Sequence, residues 1–388
     1  MTTLHLLEPA RPGAGWAPFG GVRPIAELRA GAWRIRERWE HALGLRAAAI
    51  HGAHCAGFSE DDEPPVSPVA TFRGPAIVGV SWFAPSVDPI RLAPKTRRLV
   101  HAGEIVGWVL ADGAETLPDS GSEQEIDGVL LAGAWSLLNA RDRLLRADCE
   151  SFRRGGTAPA EGAHVFGNPA DVIVLGATVE PGVVFDVRNG PVVLDRGAEV
   201  RYGTRLEGPT YVGPGTRVLG GDIRGSVLGP VCRVRGEIAD SVFLGYANKA
   251  HDGFVGHSVV GRWVNLGAGT ITSNLKNTYG PVRLEVAGER IDTERMNVGT
   301  LFGDHAKTAI GTLLSTGTVV GAGASVHGPG SAPRWVPPFA WGLGGTRMNE
   351  DGFISIAERM MARRDVPLTD ARRASLLSIY ARAAGGLT

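Results

Sequence analysis

Hydrophobic residues recur at every sixth position through the middle of the chain. Leu194, Val200, Leu206, Val212 and Val218 keep that step without a break. Leu228 and Val234 repeat it, as do Phe254, Val260 and Leu266, and then Leu314, Val320 and Val326. A period of six fits neither the 3.6 residues of a helical turn nor the alternation of one long strand. It fits a solenoid of short strands that turn at regular intervals, each coil burying its inward residues against the next. Aliphatic–glycine pairs such as Val212-Gly213, Leu266-Gly267 and Val320-Gly321 accompany the step. Glycine there gives a tight corner its left-handed backbone. The rhythm lapses over Ser273–Met296, which predicts an excursion from the coils. Long excursions from a rigid scaffold often carry function.

Outside the repeats the period changes. Leu4–Glu8 predicts a strand followed by a Gly/Pro loop, and the apolar residues from Ile25 to Leu43 fall mostly at helical spacing after Gly31. Residues 75–85 and 104–112 read as strands, and Ala134–Gly155 as an amphipathic helix leading into the solenoid. Beyond Gly328, prolines and aromatics predict an extended segment on the last coils. Two helices follow over 351–386, the second capped by Thr369. The chain thus divides into an α/β domain over 1–155, a β-solenoid over 165–330, and an extended segment with helices over 331–388.

Composition narrows the partners. The 388 residues include 40 Lys+Arg against 40 Asp+Glu. That balance removes the simplest argument for binding nucleic acid or an anionic membrane, so neither is expected. The 55 glycines are about twice the ordinary share and crowd into the repeats. Cys55, Cys149 and Cys232 lack metal-binding spacing and read as reduced thiols. No long apolar run or leader-like N-terminus is seen, and a cytoplasmic protein is expected.

The stretch Asn248–Asn277 carries polar residues that a solenoid does not need. His251 is the candidate general base, because imidazole titrates near neutral pH. Asn265 and Asn274 are candidates to orient an acceptor or, with corner N–H groups, to stabilise an oxyanion. His257 reads as structural or interfacial, and His305 as a second base or acceptor ligand.

This stretch, above all "NLGAGTITSN", and the six-residue repeats resemble the acetyltransferase half of the bifunctional N-acetylglucosamine-1-phosphate uridyltransferase / glucosamine-1-phosphate acetyltransferase family. The resemblance implies a left-handed parallel β-helix, a homotrimer with its site between subunits, and acetyl-CoA as co-substrate. His251, Asn265 and Asn274 match the family's catalytic histidine and two asparagines, at the same offsets of 14 and 9. Two family tyrosines are replaced by Phe254 and Leu275, and the sugar-phosphate lysine maps near Ala239 and Asp240. Lys249 is the nearest substitute. Lys276, Lys307 and Arg334 are the cations expected to meet CoA phosphates.

"RPIAELRAGAWRIRERWE" and "MARRDVPLT" further resemble a group of bacterial proteins described as sugar nucleotidyltransferases. Such enzymes open with a strand and a Gly-rich loop whose N–H groups cradle phosphates. Here the loop offers Arg11 and Arg23-Pro24 but no GxGTR core. The resemblance implies a reduced nucleotidyltransferase-like domain, with Arg11 and Arg23 as nucleotide contacts and Mg²⁺ as a candidate cofactor if it is active. Asp61, Asp62, Asp88 and Asp112 are the carboxylates at hand.

The expected fold is α+β: this small α/β domain, a left-handed parallel β-helix, and C-terminal helices. The expected function is an acyl-CoA-dependent transferase acting on an amino or hydroxyl group of a sugar or sugar nucleotide. A sugar-1-phosphate nucleotidyltransferase and a non-catalytic trimeric scaffold are the alternatives.

Overall fold

The computed structural model describes residues 1–159 and 161–384. From His164 onward the chain winds into a parallel β-helix of triangular section. Its first face is a six-stranded sheet from His164–Phe166 to Phe254–Gly256, continued by the pair Ile271–Thr272 and Leu313–Leu314. The second face has nine strands, from Val172–Val174 to Trp335–Val336. The third has eight, from Thr178–Val179 to Ser325–Val326.

The six-residue step is the distance from one face to the next. Leu194, Val200, Leu206, Val212 and Val218 lie on successive faces, and each is 0% exposed. Phe254 departs from its expected inward place. The register pairs Val255 with the buried Ile238 and Phe254 with the exposed Glu237. The step from Val255 to the buried Val260 is five residues here, so counting back six from Val260 reaches the outward neighbour.

The N-terminal sheet has seven strands, with Thr3–Leu7 between parallel partners Ala47–His51 and Ala76–Val80. Helix α1 (Ile35–Leu43) starts later than the apolar spacing alone suggests. A short hairpin, Arg29–Ala30 with Trp33–Arg34, precedes it and turns at Gly31 (φ 69°). A Cβ on Gly31 would collide with the Asp148 carboxylate. Helix α2 (Ser136–Ser151) then leads toward the coils.

The second face is fully covered. Its outward residues Val193, Val227, Val242, Val259 and Leu301 join Leu137, Leu138 and Leu144 of α2 in one buried cluster. The excursion forms a hairpin, Arg283–Val286 with Glu289–Asp292, and sinks Val282, Leu284 and Val286 into that cluster. Arg295 then bonds Asp142 of α2 at 2.9 Å. The excursion therefore clamps the N-terminal unit to the solenoid.

Helices α3 (Glu350–Ala362) and α4 (Asp370–Ala384) pack through Phe353, Ala357, Leu376 and Ile379 onto Phe339, Ala322 and Val22. They bridge the corner between the second and third faces to the N-terminal unit. Thr369 Oγ1 accepts the Arg372 N–H at 3.3 Å, as its capping position predicts. Residues 385–388 of the expected C-terminal segment lie outside the described residues.

The first face stays open beside this: Ile271 is 42% exposed and Leu313 61%. Among the described residues no helix is long and apolar enough to cross a membrane.

Candidate functional site

His251 sits at the corner between the third and first faces, on the turn after Asn248–Lys249. Lys249 builds that corner from inside. It occupies the inward column of the third face, in register with Val234, and is 2% exposed. Its Nζ donates to the carbonyls of Arg235 (2.9 Å) and His251 (2.7 Å). Burial pushes its ammonium down to about 8, only partly offset by Asp252. Lys249 thus holds the backbone under His251 instead of facing a substrate phosphate. The His251 ring is exposed and makes no hydrogen bond among the described residues.

Asn274 lies at the opposite edge of the first face, where the chain leaves for the excursion. Its Nδ2 donates to His257 Nδ1 at 2.8 Å. His257 occupies a left-handed corner (φ 45°). Burial pushes its imidazole down, partly offset by Asp240, 3.8 Å away. Asp240 is in turn held at 2.8 Å by Arg141 of α2. Asn265 is elsewhere, outward on the third face, accepting from Asn248 Nδ2 at 3.0 Å. Within one chain, then, His251 and Asn274 bound the first face and Asn265 stands apart.

The remaining candidates separate. His305 is 6% exposed between Trp263 and Phe353, and burial reinforced by Lys307 pushes it down to about 3. It is a neutral ring closed off from solvent. Lys276 Nζ donates to Pro281 within the excursion, at 3.0 Å. Arg334 is exposed beside the last strand of the second face. Lys307 alone of the three expected CoA contacts lines a cavity, on the third face.

From Trp16 to Arg23 the N-terminal loop is occupied by its own bonds, whereas the N–H groups of Arg11, Gly13, Ala14 and Gly15 have no partner among the described residues. The N–H groups of Trp16, Ala17, Phe19, Gly20, Val22 and Arg23 donate to loop carbonyls, and that of Gly21 to His54. Those donors are not free to cradle a phosphate. Arg23 is 2% exposed, donating to Asp304 of the solenoid at 2.7 Å and to Glu60 at 2.8 Å. Burial works against its charge, but the two carboxylates reverse that and raise its pKa. Arg11 is exposed at the rim of a 420 Å³ cavity shared with Gly21, His54 and Arg382.

Two of the four candidate carboxylates are taken by arginines, and Asp112 is exposed. Asp61 pairs with Arg262 and Arg372, and Asp62 with Arg34 and Arg36. Asp88 accepts from Ser86. Among the described residues the one cluster of potential metal ligands is Glu8, His54 and Cys55. Its mixed N, S and O donors are not those of a hard cation. Glu8 moreover accepts from the N–H groups of Ile25 and Ala26.

Sequence reasoning missed the residues that share the cavity with Lys307 and Asn265. Arg233, Arg359 of α3, and Arg363 and Arg364 just after α3 converge there from distant segments. The available signal was the Arg363-Arg364 pair and the outward position of Arg233, next to the inward Val234.

Residues 11–157 match the model of a sugar nucleotidyl transferase family. The chain is 31% identical over 154 residues to a bifunctional sugar-1-phosphate nucleotidylyltransferase/acetyltransferase of Sulfurisphaera tokodaii, covering 37% of this chain and 36% of that protein. It is 26% identical over 256 residues to the bifunctional protein GlmU of Jannaschia sp., covering 60% of this chain and 50% of the relative. A hexapeptide transferase family protein from Anaplasma phagocytophilum is 16% identical, with 60% of this chain and 99% of that one covered at a TM-score of 0.25. The chain thus spans about a third to a half of the length of these two curated relatives.

Proposed function

We propose that this protein is an acyl-CoA-dependent transferase acting on an amino or hydroxyl group of a sugar or sugar nucleotide, at a site completed by a neighbouring copy in a homotrimer. One observation carries the reading. His251 and Asn274 sit at the two edges of the solenoid face that neither the N-terminal unit nor the C-terminal helices cover, and that face exposes Ile271 and Leu313. Packing copies through this face would bury the apolar residues and bring one copy's His251 toward another's Asn274. The match to a bifunctional nucleotidylyltransferase/acetyltransferase supports the same chemistry.

In this reaction the acceptor's nitrogen or oxygen attacks the thioester carbonyl of acetyl-CoA, and His251 takes the proton it loses. Asn274 steadies the oxyanion or the acceptor. The intermediate then collapses, the C–S bond breaks, and His251 returns the proton to the departing CoA thiolate. General base catalysis of this kind contributes roughly 10²–10⁴-fold, so His251→Ala should lower kcat by that factor with the melting temperature unchanged. Release of free CoA from acetyl-CoA, assayed across amino sugars, sugar phosphates and sugar nucleotides, is the test. Undiminished release by His251→Ala removes His251 from the mechanism.

The family match over 11–157 favours a second reading, a sugar-1-phosphate nucleotidyltransferase. The paired Arg23 weighs against it. Pyrophosphate release from a nucleoside triphosphate, with no CoA release, would favour it over the first. A protein that does neither is the trimeric scaffold.

A further inference from the structure

Helix α3 lies across the third face and encloses a cavity of 390 Å³. Register explains one wall. Arg233, Asn248, Asn265 and Lys307 stand in line on successive coils, all outward. Neighbouring strands lie about 4.8 Å apart, so Arg233 and Lys307 bracket a polar strip of about 14 Å. The opposite wall brings Arg359, Arg363 and Arg364 from the last turn of α3 and the residues after it.

The lining therefore holds five cations and no carboxylate, and none of the five pairs with an acid among the described residues. The helix dipole favours Arg359 and Arg363 at the C-terminal turn. It does not account for Arg233 and Lys307 on the facing sheet. Arg364 has its Nε buried without a partner, and its one side-chain contact across the cavity is Asn248 Oδ1 at 3.4 Å. Burial, then Arg233 and Arg363, push its guanidinium down. Lys307, whose Nζ donates to the His305 carbonyl at 2.9 Å, is likewise pushed down, to about 8, by burial alone. Like charges gathered in a concave, partly desolvated place raise the local potential and await a counter-charge. Tyr246 and Trp263, stacked 4.3 Å apart, form a flat apolar end beside them.

We propose that this third-face cavity binds a ligand carrying two or more phosphoryl groups, gripped between Arg233 and Lys307 on the coils and Arg364 below α3. The site is independent of the reading of His251. The shared chemistry is a diphosphate, which inorganic pyrophosphate, a nucleoside triphosphate and CoA all present.

The test is calorimetric titration of the full chain with pyrophosphate, UTP and CoA in turn. The expected result is saturable binding of at least one of them, one per chain. Its affinity should fall at least tenfold in Arg364→Ala and in Arg233→Ala, and survive in His251→Ala. Equal binding of all three assigns the grip to the phosphoryl groups alone. Tighter UTP or CoA adds the base or the pantetheine arm; each supports the proposal. No saturable binding of any probe overturns it. So does an affinity unchanged in the double variant Arg233→Ala/Arg364→Ala. Because neither arginine is ion-paired, that variant should keep the wild-type melting temperature, which separates lost binding from lost folding.

Discussion

Two clusters of arginine lie close together on this molecule and have opposite surroundings. At the junction between the N-terminal unit and the solenoid, Arg23, Arg262 and Arg372 face Glu60, Asp61 and Asp304, three cations against three carboxylates. Burial raises the Glu60 carboxyl, but Arg23 and Arg262 override it and hold the group down at about 2. In the third-face cavity, Arg233, Lys307, Arg359, Arg363 and Arg364 face no acid. The first cluster is closed because its charges satisfy one another and fix two units together. The second is open because nothing in the chain completes it. Arginine at a cavity signals a ligand only when its partners are missing, and partners are visible only in three dimensions.

That contrast can be broken in order of effect. Arg23→Ala should be the most damaging change, since it strands Asp304 in a buried site. Removing one member of a buried pair costs about 3–5 kcal/mol, to be read from the denaturant midpoint. A cost below about 1 kcal/mol would mean the junction is not what holds the units together. Glu60→Gln should cost less, about 1–3 kcal/mol, because the amide oxygen still accepts one of the two hydrogen bonds that Arg23 and Trp263 donate to the carboxylate, and Asp304 keeps Arg23 paired. Arg233→Ala and Arg364→Ala should lie within about 0.5 kcal/mol of wild type, since they remove charges that repel one another. A large loss there would make the cavity a structural cluster like the junction.

A pH dependence sharpens the same contrast. Lys307 titrates at about 8 when folded and near about 10.4 when unfolded. Between those values the unfolded chain binds the extra proton, so stability rises with pH across that window. Lys249 contributes the same slope from its own place in the inward column. Lys307→Met should therefore flatten the rise by roughly half, measured as melting temperature against pH. An unchanged slope would place Lys307 in ordinary contact with solvent.

The coils were legible in the linear chain because they obey a local rule. One inward residue per face, six residues to the next, is written into Leu194 through Val218 whatever surrounds them. The rule failed where the step shortened to five, so Phe254 was read inward when Val255 holds that place. It failed again at Lys249, a lysine standing in a valine column, because sequence does not show which way a lysine's Nζ turns. The excursion was legible as a break in rhythm; that it clamps the N-terminal unit through Val282, Leu284 and Val286 was not.

The sequence by itself determined the solenoid, the α/β character of the N-terminal part, and the coincidence of His251, Asn265 and Asn274 with an acyl-transfer motif. These are properties of period and spacing, which short-range sterics and apolar burial read directly. Only the tertiary structure decided which face stays open, that Arg23 is locked to Asp304, and that Arg233, Lys307 and Arg364 meet across one cavity. Those outcomes depend on charges brought together from segments far apart in the chain, and the balance of burial against pairing that governs them has no local signature.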